Sequence, residues 1–177
     1  MKKLELLLFS LSFAVVFSSC ESEKKKPVYV DMDSSMSEEI LYAQSGDEIV
    51  VPFRNENGVK YVPVKVNGVG FEMIFDTGCS GTLISLAEAD YLYKKGLLTR
   101  DDILGKTKSQ IADGSIVENM VVNLEEVVID DKIRCVNVQA TVSNNINAPL
   151  LLGNEVLDRL AIIAIDNENQ TLNFILK

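Results

Sequence analysis

The chain has 177 residues, a formal net charge of −9, three cysteines and no histidine. Without histidine there is no Ser-His or Cys-His nucleophile pair and no imidazole-ligated zinc, and three cysteines cannot complete a four-thiolate metal site. The acidic excess argues against a nucleic-acid partner, which needs clustered Lys and Arg, so any catalysis rests on carboxylates, hydroxyls, lysine or a lone thiol.

Lys2 and Lys3, an apolar run from Leu6 to Phe17, and then Ser18, Ser19 and Cys20 follow the plan of a secretory signal. The run is too short for an ordinary membrane span. Its end resembles a bacterial lipobox with Cys20 as the lipidated first mature residue, although Phe17 stands where leucine is usual. The expected organisation is a lipoprotein signal over 1–19, a flexible tether over 20–46 and one domain over 47–177. The tether is charged and serine-rich and could not bury a core. The lipobox resemblance implies a domain in the bacterial cell envelope, held outside the cytoplasm by lipid on Cys20. The competing reading is a plain signal with an incidental cysteine. Cys79 and Cys135 remain, either as a disulfide or as two free thiols.

From Asp47 the pattern turns to short β runs. Glu48–Arg54 is a first run and Asn55–Gly58 a turn. Val59–Val66 is a second strand, and its Pro63 suggests a sheet edge. Asn67 and Gly68 signal a hairpin, and Phe71–Phe75 is a third strand ending at Asp76. Ser85 and Glu88 read as a capping box for a helix to about Lys95, stopped by Gly96. Leu86, Ala89, Leu92 and Tyr93 fit one face of it. Asp113 and Gly114 mark another hairpin. Ser115–Asn123, Val127–Asp130 and Ile133–Val142 read as strands, with Asp130 and Asp131 turning between the last two. Leu150–Leu152 is a short strand, Asn154–Leu160 a short helix, and Ala161–Ile165 with Thr171–Leu176 a closing hairpin. The sum is mainly β, with one clear helix and one short C-terminal one.

Asp76, Thr77 and Gly78 follow an apolar strand directly, and Cys79, Ser80, Gly81 and Thr82 continue the loop with small or hydroxyl residues. A carboxylate at the end of a buried strand is costly unless donors or a partner charge receive it. Glycine permits a tight turn whose amides face the carboxylate. The plainer reading is an Asx-type turn with a solvated acid. Glu125–Glu126 and Asp130–Asp131 lack the spacing of a calcium loop, so no metal and no cofactor are expected.

Here the sequence resembles the aspartic proteases, and more closely the single-domain retroviral-like (retropepsin-type) group and its bacterial members. Tyr61–Gly68 looks like the opening hairpin, and Phe71–Gly78 matches the strand and catalytic loop. Ile111–Ser115, with Ala112, Asp113 and Gly114 at its centre, looks like the flap. Leu150, Leu151, Leu152 and Gly153 before Asn154–Leu160 match the second signature, about 75 residues after the first. Gln170–Phe174 resembles the last strand. The resemblance implies a retropepsin-like acid protease barrel. Asp76 would be one carboxyl of a catalytic dyad. Thr77 would hydrogen-bond to the partner loop, Gly78 would admit substrate, and Gly153 would let its strand pack beneath the loop. The chain has no second Asp-Thr-Gly or Asp-Ser-Gly, so the dyad requires a homodimer. The implied activity is endopeptidase hydrolysis of a peptide or protein substrate by activated water. The alternative is an inactive retropepsin-like peptide-binding or dimerisation module on a lipoprotein. A third reading is a β-rich lipoprotein whose triplet is only a turn.

Overall fold

The computed structural model describes residues 48–111 and 113–177. The expected signal, Cys20, the tether and Ala112 lie outside the described residues.

Among the described residues, eleven strands and two helices follow in order. The strands are β1 (Glu48–Pro52), β2 (Arg54–Glu56), β3 (Val59–Val66), β4 (Val69–Phe75), β5 (Thr82–Ser85), β6 (Ile103–Gln110), β7 (Ile116–Ile129), β8 (Ile133–Ser143), β9 (Leu151–Leu152), β10 (Leu160–Asp166) and β11 (Thr171–Leu176). Helix α1 (Leu86–Lys94) follows β5, and α2 (Asn154–Leu157) follows β9. Eight strands form a sheet in the order β2-β3-β4-β9-β5-β8-β7-β6. An additional β3–β7 pairing joins Val64–Val66 to Val127–Ile129 and closes six of them into a barrel. A separate sheet has the order β1-β11-β10.

Side-chain alternation explains the barrel. On β3, Val62, Val64 and Val66 are buried, whereas Pro63 and Lys65 are exposed. Met73, Ile84, Leu92, Leu124, Ile129, Ile133 and Leu152 are fully buried in the same core, with Leu172 and Phe174 of the small sheet. Each such side chain contributes about 1.5–3 kcal/mol relative to exposure. The described residues are mainly β with two helices, as the sequence predicts.

Several boundaries differ, each for a physical reason. The run Glu48–Arg54 is two strands, because the chain passes from the small sheet to the eight-stranded sheet at buried Phe53. The following turn shortens to Asn57 and Gly58, since Asn55 and Glu56 pair with Lys60 and Val59. Strand β3 is interior, not an edge. Pro63 is tolerated because its carbonyl faces the gap where β3 passes from β2 to β7, and there it accepts the Asp130 N–H at 2.9 Å. A residue's N and C=O point to the same side of a strand, so the missing donor faces that gap too. Strand β7 runs unbroken through Glu125 and Glu126. Leu124 points inward, Glu125 outward, and Glu126 pairs with Arg134 at 2.6 Å. On α1 only Ala89 and Leu92 are buried; Leu86 and Tyr93 are exposed. Helix α2 is one turn, because Leu160 already belongs to β10.

The punctuation matches its residue types. Asn67 and Gly68 both take positive φ, as do Asp130 and Asp131, which is the geometry of a two-residue hairpin loop. Ser85 caps α1 by accepting the Ala87 N–H at 3.0 Å, and its hydroxyl also meets the Glu88 carboxylate. At the other end Gly96 takes φ +72°, the Gly96 N–H reaches Tyr93 O at 3.0 Å and the Leu97 N–H reaches Leu92 O at 2.9 Å. This is a Schellman stop.

Candidate active site

Strand β4 delivers Asp76 to the end of the barrel. It pairs in parallel with β9, Ile74 opposite Leu151 and Phe75 opposite Leu152. The Asp76 N–H donates to Leu152 O at 3.1 Å. The first and second signature segments are therefore neighbours in space. β9 lies between β4 and β5 because Leu151 also pairs with Leu83.

Beyond Asp76 the chain folds back on itself. The Gly78 N–H donates to Asp76 Oδ1 at 2.8 Å, and the Cys79 N–H to Asp76 O at 3.3 Å. Asp76 is half-buried, while Thr77 and Gly78 are exposed.

Helix α2 fixes the other side of the loop. The Asn154 N–H donates to Cys79 O at 2.9 Å and the Glu155 N–H to Ser80 O at 3.1 Å. Asn154 Nδ2 donates to Thr77 O at 3.2 Å. The approach is so close that Gly153 has no room for a side chain. A Cβ there would overlap Gly81 O and lie 2.7 Å from Cys79 O, both backbone atoms.

Helix α2 is in turn braced by Arg159, which is buried. Its guanidinium donates to Val136 O at 2.7 Å, to Asn137 O at 3.3 Å and to Glu155 Oε1 at 2.5 Å. A buried cation is tolerable only with such partners.

Cys79 and Cys135 are both free, which resolves the alternatives the sequence leaves open. Cys79 Sγ donates to Gly81 O at 3.1 Å. Burial pushes its thiol up, and the nearby Asp76 charge adds to this. Cys135 lies in the core on β8, and burial pushes it up to about 12. Both thiols stay protonated, so neither is an activated nucleophile.

Asp113 and Gly114 sit at the tip of the β6–β7 hairpin, with Gly114 at φ +84°. Asp113 accepts the Ser115 N–H at 2.8 Å, and its hydrogen bonds to Ser115 hold the carboxyl below its usual value. Ile111 and Ile116 flank the tip and are exposed. Sequence reasoning singled out Asp76, Thr77, Gly78, Leu151, Leu152 and Gly153, which the structure brings together. It did not single out Asn154 or Arg159. Asn154 directly follows the signature glycine, which is the one signal it offered. Among the described residues, no cluster of acidic, Cys or His side chains is arranged to hold a metal ion.

A carboxylate held on a glycine turn, backed by an apolar strand and a close-packed glycine, defines the class: an aspartic-type, retropepsin-like barrel. A family model described as aspartyl protease matches residues 62–156, more than half of the chain, and the chain belongs to that family. The fold is also similar to the crystal structure of a retropepsin-like aspartic protease from Rickettsia conorii. The TM-score is 0.52 and the identity 24%, over 79% of this chain and 95% of that one. No curated protein sequence matches.

Proposed function

We propose that this chain is an aspartic endopeptidase that works as a homodimer, with Asp76 from each copy forming the catalytic pair. The observation that carries this is the setting of Asp76. Its Oδ1 accepts the Gly78 N–H at 2.8 Å, and its loop is locked from below by Gly153 and α2. The dimer is supported by the single Asp-Thr-Gly in the sequence. A further support is β10, an edge strand that leaves Ile162 and Ile165 exposed. Such an edge is a liability unless something covers it.

Two carboxyls that close cannot both ionise, so the pair holds one proton and titrates as a unit. The ionised member takes a proton from a water lying between them. That water attacks the scissile carbonyl while the protonated member donates to its oxygen. Thr77 ties the two loops across the two-fold axis, and the hairpin tip at Asp113 and Gly114 covers the substrate. Residues 47–177 form the protease domain, and lipid on Cys20 holds it to a membrane outside the cytoplasm. Mass spectrometry of the mature N-terminus checks the anchor.

The deciding experiment is cleavage of a mixed peptide library by wild type and Asp76→Asn at mildly acidic pH, with sedimentation of the same samples. The expected result is a dimer in both and turnover lower by about 10³-fold or more in Asp76→Asn. An Asp76→Asn protein that still cleaves at the wild-type rate would sink the mechanism.

A further inference from the structure

One peptide unit in the loop is held at both ends. The N–H of the Thr77–Gly78 unit donates to Asp76 Oδ1 at 2.8 Å. The C=O of the same unit accepts from Asn154 Nδ2 at 3.2 Å. Asn154 thus grips the loop twice. Its backbone N–H binds Cys79 O, a bond that any residue but proline could supply. Its carboxamide binds Thr77 O, which needs a side-chain donor of this length.

Two physical consequences follow. A peptide plane bound at its carbonyl cannot rotate, so its N–H keeps one direction. A donor at the carbonyl also polarises the unit and makes its N–H a stronger donor. Both effects end on the Asp76 carboxylate.

We propose that Asn154 is a positioning residue for Asp76, acting through the Thr77–Gly78 peptide. The inference rests on the reading of Asp76 as the catalytic carboxylate. Asn154 bonds the Thr77 and Cys79 carbonyls rather than the Asp76 carboxylate. Its amide sets the direction and strength of the one loop N–H that holds the carboxylate. A merely structural Asn154 would support α2 and leave the Gly78 amide unchanged.

The test uses the full chain with Asn154→Leu, Asn154→Asp and Asn154→Gln. Leu keeps much of the volume and removes the donor. Ionised Asp keeps the shape and removes the donor, and Gln restores a donor. The first readout is the Gly78 amide in NMR, which needs no turnover. In the Leu and Asp variants its proton resonance is expected to move upfield and its exchange to quicken by about tenfold. The Asn154 and Glu155 amides, bonded to Cys79 and Ser80, should keep their wild-type protection. Gln should return the Gly78 signal toward wild type. The second readout is peptide cleavage. Here kcat is expected to fall by about tenfold in Leu and Asp, with KM and dimer content unchanged and most of the rate recovered in Gln.

A Gly78 amide that does not move in Asn154→Leu overturns the proposal. So does one that moves while kcat holds. A wild-type chain that cuts nothing overturns the proteolytic reading instead, and the amide signal still decides the role of Asn154.

Discussion

Gly153 and Gly70 make opposite demands on their surroundings. A methyl group on Gly153 would overlap the Gly81 and Cys79 carbonyls, whereas one on Gly70 meets nothing within 4 Å. The atoms crowding Gly153 are backbone, so they can yield only by moving the Asp76 loop. Gly153→Ala is therefore expected to cost at least the upper end of the roughly 1–3 kcal/mol that overpacking costs, with cleavage lost. Gly70→Ala should leave stability within about 0.5 kcal/mol. Denaturant melts and peptide turnover of the two variants side by side check the contrast. Neither glycine sits at positive φ, so this is a matter of space rather than of backbone freedom. The signature glycine is legible in sequence. The carbonyls that demand it are not, because they belong to residues more than 70 positions earlier.

Among the elements, α1 shows how much local chemistry specifies. Its start and stop were both readable, because Ser85 and Gly96 act on their own neighbours. The Ser85 hydroxyl also faces Ile146 O at 3.2 Å, in the loop between β8 and β9. That second role was invisible, since nothing near Ser85 in sequence names its partner. Ser85→Ala is expected to cost about 1–2 kcal/mol, against about 1 kcal/mol for Gly96→Ala. Only Ser85→Ala should speed amide exchange in the Ile146 loop, which hydrogen-exchange mass spectrometry would detect. Strand β7 teaches the converse. Glu125 and Glu126 look like a break, yet the pairing with β8 continues past them, Glu126 opposite Val136, and Arg134 on that strand pairs with the Glu126 carboxylate. Turns at Asn67–Gly68 and Asp130–Asp131 were legible because positive φ restricts which residues fit. Pro63 misled because a barrel strand can change partners midway, leaving a gap that a proline suits.

At the scale of the whole molecule, the proposed enzyme is half a site per chain. Its specific activity is then expected to fall on dilution, in step with dimer content. Replacing Ile162 and Ile165 together with lysine should weaken the dimer by about tenfold or more while leaving the barrel folded. Sedimentation and circular dichroism on the same samples check this, and an unchanged dimer would place the interface elsewhere. The barrel also carries a consequence in time. Ribosomes release the chain from its N-terminus, and β4 emerges long before Leu152, Asn154 and Glu155. Until those residues arrive, the loop's carbonyls lack their donors and the Asp76 amide lacks its acceptor. A nascent chain therefore bears the aspartate before its loop is held, and the proposed hydrolase gains its centre only once β9 and α2 have been made.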